Sequence, residues 1–208
     1  MKKITAIFAL LALAGMANAQ VGGAYDTRGM VAYSLAKDVY IFGFEYSGSL
    51  QLYANDSQDA NDFGSYFMRQ NLAKWIPYDA KVSLGVAAEY DDMAGYANDF
   101  LRLAPAVQYA VGKNKAQMAY YFYESDGGGQ KWAFNLSLAL GRDVKLDGFA
   151  DYFIGDKKLF MAEPVLQIRL IDDVWITAAF SLNELFDNEQ RALGLTEKSG
   201  FQFGLSVQ

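Results

Sequence analysis

The side chains that could do chemistry here are carboxylates, lysines, arginines and hydroxyls, because the 208-residue chain holds no histidine and no cysteine. That removes His-based triads, imidazole or thiolate metal sites, disulfides and the usual acid–base group near neutral pH. The groups that remain form no catalytic motif. Asp147 and Asp151 fall on one face of a strand, about 13 Å apart at about 3.3 Å per residue, which is wide for a glycosidase carboxylate pair. The glycines of "DGGG" (126–129) lack the strand, Gly-Lys-Ser/Thr and helix of a phosphate-binding loop. The acidic tracts "NDSQDAND" (55–62) and "FDNEQ" (186–190) lack EF-hand spacing and its terminal Glu, so both read as solvated loops. No enzymatic activity, metal or cofactor is expected.

What the charged residues do share is a spacing of two. In "KWAFNLSLALGRD" (131–143), Trp132, Phe134, Leu136, Leu138 and Leu140 take one face, and Lys131, Ala133, Asn135, Ser137 and Ala139 the other. A period of two is a strand, since successive side chains point to opposite faces. "KVSLGVAAEYD", "DFLRLAPAVQYAV", "VKLDGFADYFI", "FMAEPVLQIRL", "VWITAAFSLN" and "FQFGLSVQ" repeat the pattern. The polar face then collects Asp26, Arg28, Glu45, Arg69, Glu89, Arg102, Lys131, Lys145, Asp147, Asp151, Glu163 and Arg169. As pore-lining residues they would select solutes by charge; alternatively they pair across the interior and fill it, as buried charges must be paired. Aromatics expected inside, namely Phe149, Tyr121, Tyr123 and Trp175, could stack on a base or sugar, a contact of roughly 1–3 kcal/mol, or serve as packing.

The elements that carry these residues are strands throughout. "MKKITAIFALLALAGMANAQ" has a basic start, a short apolar run and a small-residue "ANA" (17–19), the pattern of a secretory signal peptide over residues 1–19. Without Lys2 and Lys3 the chain has 16 basic and 24 acidic residues, net −8. That argues against nucleic acid as a partner. No later stretch approaches 18 consecutive apolar residues, so no helix is expected to cross a membrane. Aromatic content of 15%, 19 glycines and only 3 prolines suit sheet. Strands are expected near 39–46, 63–74, 81–90, 99–111, 115–124, 130–140, 144–154, 159–170, 174–183 and 200–207. Residues 22–35 hold one long strand or two broken near Gly29, and "SLQLYA" (49–54) extends its neighbour or stands alone.

Short connections, "AKD" (36–38), "IPYD" (76–79), "GKNK" (112–115), "GRD" (141–143) and "IDD" (171–173), take turns with longer or more flexible ones at 55–62, 91–99, 124–130, 155–158 and 183–200. Alternating connection lengths, strands of about ten residues and aromatics at strand ends (Trp75, Tyr90, Tyr109, Trp132, Tyr152) are features of outer-membrane barrels. A soluble lipocalin-like barrel would place Lys and Glu, rather than Ala, Gly and Ser, on its polar face. The fold expected is all-β: a transmembrane antiparallel up-and-down β-barrel of 10–12 strands, 12 favoured, forming one domain over 20–208 in a bacterial cell outer membrane with lipid as partner.

"VGGAYDTRG" (21–29), "YSLAKDVYIFGFEY" (33–46), "SYFMRQNLAKW" (65–75) and "LDGFADYF…LFMAEPVLQIRL" (146–170) resemble segments of the nucleoside-specific, Tsx-like outer-membrane channels, and still more the small outer-membrane proteins grouped with them. The resemblance implies a monomeric twelve-stranded barrel with a narrow polar pore passing small polar solutes such as nucleosides. The alternative is a structural or adhesion-type barrel with a closed, charge-filled lumen.

Overall fold

The computed structural model describes residues 20–27, 30–55, 65–93, 100–125, 129–155, 158–183 and 199–208. The expected signal peptide (1–19), Asp126, Gly127 and Gly128, and most of both acidic tracts lie outside them. Twelve strands follow one another: β1 (Gln20–Asp26), β2 (Met30–Ile41), β3 (Phe44–Asn55), β4 (Ser65–Pro77), β5 (Val82–Met93), β6 (Phe100–Val111), β7 (Asn114–Tyr121, resuming as Tyr123–Glu124), β8 (Gln130–Ala139), β9 (Val144–Ile154), β10 (Lys158–Ile171), β11 (Val174–Asn183) and β12 (Ser199–Val207). Each pairs antiparallel with its neighbours in sequence, and β1 pairs with β12, so the sheet is a closed up-and-down barrel.

The faces are inverted relative to a soluble protein. Outward positions carry exposed apolar side chains, Val86 at 64% and Leu205 at 53%, while the inward Glu89 and Lys131 are 2% and 1% exposed. Exposed aromatics ring the outside at both ends: Tyr40, Phe42, Tyr78 and Tyr109 at one, Tyr25, Phe122, Tyr123 and Phe201 at the other. Gln70, on the outer wall, accepts a hydrogen bond from the Tyr46 hydroxyl at 3.1 Å, so that polar group is satisfied.

One end of the barrel carries tight turns, at 42–43, 78–81, 112–113, 140–143 and 172–173, and both Gln20 and Gln208. In one of these turns Asp79 accepts from the backbone N–H of Lys81 (2.6 Å) and Val82 (2.7 Å), bonds that hold its carboxyl below the usual range. The opposite end carries the remaining connections, referred to here as the loop end.

Three expectations need correction. The strand expected at 39–46 is two strands, with a hairpin between them at Phe42 (φ 52°) and Gly43 (φ 78°). A type I′ two-residue turn needs positive φ at both positions, and Phe42, an aromatic in the left-handed region, conceals it in an apolar run. The turn expected at "AKD" accordingly lies inside β2, and "SLQLYA" lies in β3. Tyr123 does not face inward: the β6–β7 register moves from Ala106↔Ala119 to Leu103↔Tyr123, one extra residue at Phe122. This bulge puts Phe122 and Tyr123 both outside and turns Glu124 inward. Trp75, expected at the aromatic girdle, instead points into the lumen and donates from Nε1 to Glu45 Oε2 at 2.7 Å.

Closure is tight at the β1–β12 seam. Gly204 lies between Ala24 and Thr177, and a Cβ there would stand 2.7 Å from Ala24 Cβ and press on the Gly23 carbonyl. Gly204→Leu is expected to overpack the seam by about 1–3 kcal/mol. The check is a lower urea midpoint for the refolded barrel, with less of its heat-modifiable folded form on a gel.

Candidate functional site

The lumen has two layers, each built by strand parity. Near the loop end, β4 to β9 aim long charged side chains inward and these form one buried ion cluster. Arg69 Nε meets Asp91 Oδ1 at 3.0 Å and Glu89 Oε2 at 3.7 Å, and its Nη2 meets Asp151 Oδ2 at 2.8 Å. Arg102 Nη1 lies 3.0 Å from Glu89 and 2.6 Å from Asp91, and its Nε lies 3.3 Å from Glu124. Lys131 bonds Glu89 and, at 3.1 Å, Asp151. Glu89 thus touches all three cations. β4 and β9 are five places apart round a ring of twelve, so the Arg69–Asp151 pair spans nearly the full width of the lumen.

Aromatic rings support the cluster. The Arg69 guanidinium sits 5.1 Å from the Phe149 ring, Arg102 5.6 Å from Phe153, and the Lys131 ammonium 5.0 Å from Tyr121. Cations over ring faces gain electrostatically, the more so when desolvated.

Toward the tight turns the lumen opens into a cavity of about 700 Å3. On the β4–β9 side it stops at Ala87, one inward position below Glu89, and at Tyr121, the register partner of Lys131. On the other side it climbs a wall of small residues, Gly22, Ala24, Ser34, Ala36, Thr177 and Ala179, as far as Gln202. Gln202 Nε2 donates to the buried Asp26 at 3.1 Å. Ser206 Oγ, buried in the same wall, has no hydrogen-bond partner among the described residues.

The cavity's charged rim is mixed. Glu45 receives Lys115, the Trp75 indole and Gln117, and Gln117 also donates to Gln108 at 2.9 Å. Asp38, Asp147 and Glu163 line it as well. Lys145 donates to Gln208 Oε1 at 2.6 Å, Gln208 donates to Gln167 Oε1 at 2.5 Å, and Lys145 and Arg169 lie 4.2 Å and 4.9 Å from the Trp175 ring. Counting both layers and Asp26, the described residues place nine carboxylates in the lumen (Asp26, Asp38, Glu45, Glu89, Asp91, Glu124, Asp147, Asp151, Glu163) against seven cations (Arg69, Arg102, Lys113, Lys115, Lys131, Lys145, Arg169).

The residues singled out from sequence divide accordingly. Arg69, Glu89, Arg102, Lys131 and Asp151 meet in the cluster; Glu45, Lys145, Asp147 and Glu163 line the cavity; Arg169 stands beside it at the tight-turn end; Arg28 lies outside the described residues. Tyr121 and Trp175 point inward but are buried beneath cations, and Phe149 carries Arg69 over its ring. Asp91, Glu124, Lys115 and Gln117 escaped the reading. Asp91 and Lys115 stand in segments read as connections, although Asp91 shares the parity of Glu89.

A closed twelve-stranded barrel, apolar outside and charged within, is the small porin type of fold. No family model matches the chain and no curated protein matches it. Among solved structures it is similar to NanC porin, with a TM-score of 0.64 at 9% identity over 92% of this chain and 100% of that one. It is also similar to KdgM porin, with a TM-score of 0.58 at 9% identity over 91% of this chain and 98% of that one. A KdgM porin in complex with disordered oligogalacturonate gives a TM-score of 0.57 at 10% identity over 91% and 98%. The likeness is one of fold.

Removing one partner of a buried ion pair leaves the other charge uncompensated, at about 3–5 kcal/mol. Glu89→Ala is expected to cost that much, and Glu89→Gln, which keeps a hydrogen-bonding oxygen, clearly less. Equilibrium urea unfolding of the refolded barrel checks both, and equal losses for the two would show that Glu89 acts through its charge alone rather than through packing or a hydrogen-bonding oxygen.

Proposed function

We propose that this protein is a passive channel of a bacterial outer membrane, through which small polar solutes diffuse as a single-chain barrel. The observation that carries the reading is the polar cavity of about 700 Å3 inside a closed barrel whose outer wall is apolar. Such a wall is stable against lipid, which cannot hydrogen-bond a sheet edge, and the barrel has none. The aromatics at both ends suit the two headgroup regions, and the leader-like segment 1–19 suits export. The small-residue wall leaves space beside the ion cluster as far as Gln202, and Ser206 offers a solute an unused hydroxyl.

Nucleosides, the solutes of the resembled channels, belong to the class this lumen admits by polarity. Their recognition would rest on hydrogen bonds, because Tyr121 and Trp175 are buried with cations on their faces. The oligogalacturonate named with KdgM porin is a polyanion, and this lumen has no excess of cations to hold one.

One observation favours a second reading, a structural barrel with a closed lumen: the ion cluster crosses from β4 to β9. Uptake into liposomes separates the two. The channel reading expects wild-type protein to admit nucleosides and small sugars at rates that fall with solute size, and Asp151→Asn, which loosens the crossing pair, to raise those rates severalfold. Impermeable wild-type liposomes beside permeable Asp151→Asn liposomes would favour the closed barrel.

A further inference from the structure

We propose that the cavity holds a binding site for a small uncharged sugar or polyol, seated in a niche over Gly22 between Ser34 and Ser206. This deepens the channel reading above, on which it rests for the access of a solute to the cavity.

The niche follows from register at the β12–β1–β2 seam. Ser206 pairs with Gly22, and Gly22 with Ser34, so the three share one inward row. All three line the cavity, as does Gln51, the next member of the row. Gly22 has no side chain, so the row has a gap between two serines. A Cβ there would stand 2.8 Å from Ser34 Oγ and 3.4 Å from Ser206 Cβ. One rim of the gap is therefore a hydroxyl. The other is a serine whose Oγ is buried and has no hydrogen-bond partner among the described residues. Rotation about its Cα–Cβ bond brings that hydroxyl over Gly22, where no side chain obstructs it. A buried hydroxyl without a partner forgoes a hydrogen bond, and a solute hydroxyl placed over Gly22 supplies one.

The chemistry of the wall sets the solute class. The residues that β11, β12 and β1 bring to the cavity are all uncharged. Asp26, further along β1, is fully buried and accepts from Gln202. Asp38, on β2, lies beyond Ser34 toward the tight turns. Lys145 is committed to Gln208, two positions from Ser206. A charged group seated in the niche would lose water without gaining a counter-charge, which is costly. Serine hydroxyls both donate and accept, and so do the side chains of Thr177 and Gln202 along the same wall. The groups that match them are neutral and do both as well, which describes the hydroxyls of a sugar or polyol.

The experiment is a saturation-transfer NMR titration of the full refolded barrel in detergent with D-glucose, D-glucosamine and D-glucuronate, which share a ring and differ in charge. Glucose is expected to bind saturably, and more tightly than either charged sugar. Ser206→Ala is expected to weaken glucose binding about two- to tenfold, the worth of one hydrogen bond. It should do so without lowering the urea midpoint, because the hydroxyl removed has no partner in the fold. Gly22→Ala, which fills the gap, should weaken binding as well. No saturable glucose binding, binding of a charged sugar as tight as that of glucose, or a dissociation constant that Ser206→Ala leaves unchanged overturns the proposal. Glucose uptake into liposomes separates it from the channel reading. Uptake without Ser206-dependent binding leaves the channel and removes the site. Ser206-dependent binding without uptake or conductance overturns the channel reading and leaves the site.

Discussion

A strand at the edge of a sheet leaves a row of N–H and C=O groups without partners, and here the pairing of β1 with β12 removes the last such edge. Everything else follows from that closure. Once the ring is complete, side-chain parity has only two destinations, the lumen and the outer wall. The register across every seam decides which residue goes where. Gly204 matters for this reason, since it lets β1 and β12 come close enough to share their ladder. A slip of one residue at any seam would send Glu89 or Lys131 outward and Val86 inward, so the charged lumen itself resists misregister.

The ion cluster is the densest product of that parity. Arg69, Arg102 and Lys131 come from three strands, and Glu89 meets all of them. Desolvating seven charges is costly, and such clusters hold only where each member has several partners. The bulge at Phe122 belongs to this requirement. Without the extra residue Glu124 would face outward, and Arg102 would lose its third carboxylate. The Phe149, Phe153 and Tyr121 rings then fill the space between the aliphatic stems and the wall.

Period two made most of this legible from sequence. The antiparallel up-and-down barrel of ten to twelve strands and the inward parity of Glu45, Arg69, Glu89, Arg102, Lys131, Asp147, Asp151 and Glu163 follow from alternation. Where alternation is interrupted, sequence reading fails. The Phe42–Gly43 hairpin sits in an apolar run without Asn-Gly or Asp-Gly, and its positive φ angles leave no compositional trace. The Phe122 bulge reverses parity without any glycine, so alternation alone places Tyr123 on the wrong face. Trp75 looks like a girdle residue by its place near a strand end; only the parity it shares with Arg69 and Ala73 shows that it points inward. Which charges meet was not legible, because Arg69 and Asp151 are 82 positions apart and touch only because the ring brings β4 round to face β9.

The barrel is also lopsided, and that shapes how its lumen can work. Near the loop end the inward positions from β4 to β9 carry long charged or aromatic side chains. From β10 through β12 and on to β3, many carry Gly, Ala, Ser or Thr. A ring of uniformly large residues would seal itself, and a ring of uniformly small ones would leave the charges unsupported. Concentrating bulk on one side lets the cations and carboxylates satisfy one another while the opposite wall keeps free space beside them. The same division separates two properties. The crowded side holds the ion cluster, and the small-residue side, with Asp26 and Gln202 at its upper limit, sets the width of any passage. Width and charge can therefore vary independently: a larger side chain on the β1 or β11 wall narrows the space without disturbing the cluster, whereas exchanging Asp38 or Asp147 alters the field without altering the width.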